Sequence, residues 1–305
     1  EGRWGAPAYT NVDFPFPVDP PFPPEENPVG DYSRRFRCPE SWLSSGGQIR
    51  LRFEGVESQI IVWVNGQWIG MARGSRLAHE FDITEALVPG ENTVTLRVHQ
   101  FSAGSYLEDQ DQWWLPGVFR SVSLRYLPDF SIEDLWIDTD YEAGQGFAAL
   151  ELRMRGAQSE TLEANLDIEG LGTSVLTLAR GEDGRYRSER IGLGTVQPWS
   201  AQSPKLYAAR VQAVGEGGRL TEERHLRLGF RRIEIVDGVL HANGQPLTLN
   251  GVNRHEIRAD EGRVFSEEFA RTDLELMKSM GINAIRTSHY PPHPRLLDLA
   301  DEIGL

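Results

Sequence analysis

IIVWVNGQWIG, residues 60 to 70, decides how the first part of the chain is read. An apolar run climbs to Asn65-Gly66 and resumes at Trp68. Asn and Gly both tolerate positive φ, which the tight turn of a twisted hairpin demands, so two antiparallel strands are predicted here. The same period-two pattern extends outward. Upstream, Ile49, Leu51 and Phe53 alternate with Arg50, Arg52 and Glu54; downstream, Val94, Leu96 and Val98 alternate with Thr93, Thr95, Arg97 and His99. Such alternation marks strands with one buried face. Residues 81–87 read as a short turn-like piece, and residues 118–126 as a closing strand. Many short strands with Gly and Pro turns predict a β-sandwich of the jelly-roll kind over residues 1–127. Phe14-Pro15-Phe16-Pro17 and Pro20-Pro21-Phe22-Pro23-Pro24 predict an extended strap, because proline fixes φ and lacks a donor. Its phenylalanines are expected to staple it to the surface.

Pro128 marks a seam. Between residues 128 and 228 about seven further strands are legible, among them residues 135–137, 148–154, 162–168, 175–178 and 206–214. That number of strands in about 100 residues predicts an immunoglobulin-like sandwich. It lacks the usual disulfide, since Cys38 is the single cysteine of the chain. Pro198-Trp199-Ser200 reads as a packing anchor. From residue 229 the period changes. A second Asn-Gly turn, Asn243-Gly244, lies between residues 239–242 and 246–250. Ser266 is a credible N-cap, and Phe269, Leu276, Met277 and Met280 fall on one helical face. Residues 283–288 predict a buried strand, and residues 294–303 a second amphipathic helix. Strand–helix–strand–helix units build parallel sheets, and a (β/α)₈ barrel needs eight of them. The reading therefore expects a piece of a longer protein, whose third domain, residues 229–305, is the start of a TIM barrel.

Composition narrows the function. The chain has 305 residues and a formal net charge of -14, with no dense basic patch, which argues against a nucleic-acid partner. No apolar run approaches the length of a membrane span. With one cysteine, a reducing, cytoplasmic setting is expected.

Chemistry concentrates in two places. YLEDQDQWWLPGVFR, residues 106–120, sets Glu108, Asp109 and Asp111 beside Trp113 and Trp114. Carboxylates accept from sugar hydroxyls and indoles cover sugar C–H faces, so the loop suits a carbohydrate. A wet loop whose tryptophans cap the core is the plain alternative. The second place is the ends of the two barrel strands, NRHE at residues 253–256 and RTSHY at residues 286–290. Barrel active sites form at strand C-termini, and His255 and His289 stand there as a matched pair able to donate to hydroxyls or to a partly negative oxygen. A metal on His255, Glu256 and His289 is not favoured, because their spacing matches no metal-binding helix motif. Glu108 and Asp109 are adjacent on one loop.

Four motifs in order carry a family resemblance: Tyr9-Thr10-Asn11-Val12, residues 105–111 with Trp113, Gly251-Val252-Asn253-Arg254-His255-Glu256, and Arg286-Thr287-Ser288-His289-Tyr290-Pro291. The chain resembles glycoside hydrolase family 2, most nearly its large bacterial β-galactosidases; the last two motifs are shared with β-glucuronidases. The resemblance implies retaining hydrolysis of terminal β-galactosides such as lactose. It implies that both catalytic carboxylates lie beyond residue 305, so this length of chain is expected to be inactive. It places Asn11, Asp111 and Arg286 at the substrate, His255 and His289 as transition-state stabilisers, and Asp111 as a sodium ligand. It also implies magnesium, at a site incomplete in this chain, and a homo-oligomer, tetramer or dimer, for the whole protein. Ala103 departs from the pattern, standing where the family carries an acid. Other family 2 activities, β-glucuronidase or β-mannosidase, are the nearest alternatives. A non-catalytic carbohydrate-binding module is a third, and an incomplete barrel argues against it.

Overall fold

The computed structural model describes residues 8–11 and 13–305. The chain gathers into two compact units. The first holds the described residues up to Leu127 with Asn253–Glu267 and Ile285–His293; the second holds Pro128–Val252, Glu268–Ala284 and Pro294–Leu305.

The first unit is built on the hairpin read from residues 60–70. Strands Gln59–Val64 and Gln67–Arg73 pair antiparallel, and Asn65 and Gly66 take φ of 51° and 80° between them. Glu91–His99 and Val29–Arg37 extend this to a four-stranded antiparallel sheet. A second sheet runs Val122–Leu127, Gln48–Phe53, His79–Asp82. The alternating residues meet between the sheets: Ile49, Leu51 and Phe53 with Ile60, Val62, Val64, Leu96 and Val98, all buried in one core. Two expectations change. Residues 79–82 are a true strand, with Phe81 opposite Leu51 and its ring edge-on to Phe53 at 5.9 Å. The closing run is two strands, Gly117–Val118 and Val122–Leu127, because Arg120 between them turns inward and is 4% exposed. In the strap, Phe16 is buried against Phe101 and Trp114, whereas Phe22 stays exposed.

In the second unit an eight-stranded antiparallel set wraps one core. Its long hairpin, Ser131–Glu142 with Gln145–Arg155, and the neighbours Thr161–Ile168, Gly172–Arg180 and Tyr207–Val214 bury Leu150, Leu152, Leu166, Leu178, Tyr186 and Val211. Trp199 is an anchor as expected: its N–H donates to Phe230 O at 2.7 Å and its Nε1 to Asp301 O at 2.9 Å. Asn243 and Gly244 form the second tight turn, at φ 52° and 77°. The first barrel strand is Gly251–Arg254, a few residues later than the sequence suggests. It pairs with Ala284–Thr287. Asn283 N donates to Asn250 O and Ser288 N to Arg254 O, each at 3.0 Å, so the two strands run the same way. Helix Glu267–Ser279 follows Ser266 and buries Ala270 and Leu274, one turn apart. Phe269, Leu276 and Met280 of the predicted stripe remain exposed, as does Leu297 on helix Pro294–Ile303. A stripe of that width belongs against a broad parallel sheet, and among the described residues only two strands of one are present.

Candidate active site

Every residue of the site lies in the first unit. Its first half comes from a short strand pair. Ala8–Thr10 runs antiparallel to Gln112–Trp114, with Tyr9 opposite Trp113 and Thr10 opposite Gln112. One step further along this register, Asn11 and Asp111, 100 positions apart in sequence, become neighbours at the end of the ladder. Both are exposed. The Tyr9 hydroxyl donates to Asp111 Oδ1, and the Tyr9 and Trp113 rings meet edge-on at 5.4 Å. Trp114 turns the other way. It is 4% exposed, and its Nε1 donates to Thr10 Oγ1 at 2.6 Å. One indole is therefore core, as the plain alternative has it, and its neighbour lies at the surface. Val12 of the first motif lies outside the described residues.

The other two acids are occupied. Asp109 accepts from Thr10 Oγ1 at 3.0 Å, and Glu108 accepts from the Ser75 amide at 2.7 Å and also from its hydroxyl. They fix the loop, and Asp111 is the carboxylate left facing outward.

The second half stands on the two strand ends. His255 follows Gly251–Arg254, and His289 follows Ala284–Thr287 by two residues. Their rings lie 5.5 Å apart at 89°, with the Tyr290 ring 6.2 Å from His255. Burial holds the His255 pKa below the ordinary imidazole value, and the neighbouring His289 adds to this against a smaller opposing pull from Asp111. A neutral imidazole keeps one N–H donor and one acceptor, which suits a hydroxyl group. A shallow recess is lined by Gln112, Trp113, His255, Glu256, Arg263 and Tyr290, among others. The Trp113 end of the loop and the His255 strand end thus border one space. Arg286 differs from the other expected site residues. It is exposed on its strand, and no side-chain contact ties it to the two histidines.

Behind the histidines sits a buried ionic cluster that the sequence reading missed. Glu57 accepts from Arg76 at 3.0 Å and from Arg263; Glu256 accepts from Arg120 at 3.1 Å. All five side chains are at most 10% exposed. Three cations against two anions leave a surplus, which neutral acceptors take up. Arg76 also donates to Gln112 Oε1 at 2.9 Å, Arg120 to Pro291 O at 2.9 Å, and Arg263 to Trp113 O. The Phe119 ring lies 5.1 to 5.4 Å from all three guanidinium carbons, and Tyr290 lies 4.7 Å from that of Arg76. Aromatic faces attract cations most where water is excluded. Burial lowers the pKa of Arg76 and Arg120, and pushes that of Arg263 down to about 10. The available signal was Val56-Glu57-Ser58, an acid between residues of a buried strand.

Among the described residues no three His, Cys, Asp or Glu side chains gather as a metal site. Glu256 serves Arg120 and, through Oε1, the His293 amide at 2.8 Å. Among the described residues no complete donor set for magnesium is assembled. Were sodium to bind, Asp111, an exposed carboxylate with one oxygen taken by Tyr9, would be the residue to offer it an oxygen. Oxygen is the donor a hard cation takes, and bound sodium would supply positive charge beside sugar hydroxyls.

Comparison with known proteins places these features. Residues 1–128 match the sugar binding domain of the glycosyl hydrolases family 2, residues 130–231 the middle domain described as glycosyl hydrolases family 2, and residues 233–305 the family's TIM barrel domain. The architecture is accordingly mostly β: a sugar-binding sandwich, an immunoglobulin-like sandwich and the first βα units of a TIM barrel. A β-galactosidase from Arthrobacter sp. (strain B7) is 50% identical over 305 residues, 100% of this chain and 29% of that protein. One from Enterobacter cloacae is 40% identical, over 98% of this chain and 30% of that protein. The chain thus spans about 30% of the length of these relatives. Among solved structures, a Bacteroides uniformis β-glucuronidase is 26% identical at a TM-score of 0.76, covering 91% of this chain and 35% of that one. A Bifidobacterium dentium β-glucuronidase shares the fold at a TM-score of 0.78 and 24% identity, over 91% of this chain and 51% of that one.

Proposed function

Because the chain belongs to the glycosyl hydrolases family 2, we propose that it forms the sugar-binding and transition-state-stabilising part of a retaining β-galactosidase. The observation that carries the proposal is the pairing of Ala8–Thr10 with Gln112–Trp114, which brings Asn11 and Asp111 together while Trp113 borders the recess that His255 also lines. Asn11 and Asp111 bind sugar hydroxyls, with Trp113 and Tyr9 as an aromatic wall for the C–H face. Asp111 offers its second oxygen to sodium. His255 and His289 donate to the oxygen that gains negative charge as the glycosidic bond breaks. Arg286 takes a substrate-facing role only if a further segment covers its exposed strand face. A retaining mechanism needs an acid/base and a nucleophilic carboxylate about 5–5.5 Å apart. The carboxylates near this site, Glu57, Glu108, Asp109 and Glu256, are each engaged in fixing structure. The family resemblance is what assigns the reacting pair, and most of the magnesium site, to a segment outside these 305 residues.

The relatives named β-galactosidase, at 40% to 50% identity, favour galactosides over the glucuronides of the more distant solved structures. We infer domain limits of 1–127, 128–228 and 229–305, a homo-oligomeric whole protein, and a cytoplasmic location. Among the described residues no helix is long and apolar enough to cross a membrane. The test uses the whole protein that carries this chain, assayed on nitrophenyl β-galactoside and nitrophenyl β-glucuronide. Turnover of the galactoside is expected. Preference for the glucuronide would replace this reading with the β-glucuronidase one, and absence of both activities would favour a binding module. The 305-residue chain assayed by itself should turn over neither substrate.

A further inference from the structure

We propose that Arg120 is a positioning residue for the histidine pair, acting through a clamp that ties both strand-end segments to the jelly roll. Arg120 belongs to the aromatic loop and not to either histidine segment. Its guanidinium reaches three acceptors: Glu256 Oε2 at 3.1 Å, Pro291 O at 2.9 Å and Arg76 O at 3.3 Å. Glu256 directly follows His255, and Pro291 stands two residues after His289. One nitrogen, Nη2, therefore holds the neighbours of both imidazoles, while Nη1 anchors the guanidinium on Arg76 O. Glu256 repeats the link from the other side. Its Oε1 accepts from the His293 amide at 2.8 Å, and its own amide meets the Tyr290 hydroxyl at 3.0 Å. Phe265 stacks on His293 at 4.0 Å and 7°, joining the far ends of the same two segments.

The chemistry calls for arginine. Lysine is a point charge on a flexible stem, whereas the planar guanidinium, braced through Nη1 on Arg76 O, holds Nη2 in a fixed direction toward Glu256 and Pro291. Burial adds to this. Arg120 and Glu256 are 4% and 8% exposed, where a pair gains little stability over apolar packing of equal volume. Such a pair fixes geometry, and here the geometry fixed is the 5.5 Å, near-perpendicular placement of His255 and His289. Displacement of a catalytic donor by about 1 Å can cost roughly 100-fold in rate.

The clamp is tested in this chain by the nuclear Overhauser contact and mutual ring-current shifts of the His255 and His289 imidazoles. Arg120→Lys keeps the charge and loses the Nη1 brace on Arg76 O that directs the donor at both segments. Glu256→Gln keeps one acceptor and loses the bridge, so it serves if the first variant fails to fold. Both should lose the ring–ring contact while the amide spectrum of the jelly-roll core is retained. Retention of the contact with wild-type ring shifts in both variants would overturn the proposal. In the whole protein, Arg120→Lys should lower kcat on nitrophenyl β-galactoside roughly tenfold or more and leave KM within about twofold; unchanged kcat would also overturn it. That second arm rests on the galactosidase reading. If the wild-type protein turns over no galactoside, that reading fails, while the ring–ring contact still decides the clamp.

Discussion

Two clusters in the first unit have nearly the same ingredients and opposite surroundings. Around Glu80, on the open side of the sheet that holds Gln48–Phe53, stand Arg50, Arg52 and Arg125 at 2.6 to 3.0 Å. Around Glu57 and Glu256 stand Arg76, Arg120 and Arg263. The Glu80 arginines are 24% to 35% exposed, whereas those of the inner cluster are 4% to 10% exposed. At Glu80 partial burial raises the pKa, but hydrogen bonds from three guanidiniums outweigh it and hold the carboxyl at about 2. In the inner cluster burial wins, and all three arginines have lowered pKa. The first cluster suits the surface of a sheet. The second is held against its desolvation cost at the place where the histidine segments meet the aromatic loop, which points to a geometric role.

Breaking each cluster should therefore give unequal results. Glu57→Ala leaves Arg76 and Arg263 buried without their shared anion. It should destabilise the unit by about 3–5 kcal/mol, read from urea denaturation. A loss below about 1 kcal/mol would mean that water reaches these arginines. Glu80→Gln should cost only about 1 kcal/mol or less, and less still at high salt. Its clearer signature is in acid. The folded pKa of Glu80 lies below its ordinary 4.5. Its contribution is therefore full above that value and is lost as pH falls through about 2. Between these limits, Glu80→Gln should flatten the decline of stability with pH, measured by denaturation at stepped pH. An unchanged slope would remove Glu80 from the acid response.

The same contrast explains what could be read in the sequence. Asn65-Gly66 and the alternation of Ile49, Leu51 and Phe53 carry local information, and the hairpin and core follow from them. The strand at Phe81 was legible only as a turn-like piece, because four residues beside a 3₁₀ turn give too short a period. His255 and His289 were found because each ends a strand of the same unit type. The neighbourhood of Asn11 and Asp111 depends on a three-residue strand pairing across 100 positions, which no local pattern encodes, and family motifs supplied it. Arg76, Arg120 and Arg263 were missed because charged residues read as solvated. They gather around the Phe119 ring, a long-range packing that no local pattern announces.

The central claim is that Asp111, on a loop of the sugar-binding sandwich, serves a galactoside site shared with the two histidines. The most direct measurement is kcat/KM on nitrophenyl β-galactoside for the whole protein and its Asp111→Ala variant, with and without sodium. The account predicts at least roughly a tenfold loss in the variant, as expected when a charged hydrogen bond to substrate is removed, together with loss of the sodium response. Equal kcat/KM and an equal sodium response in the two proteins would contradict it.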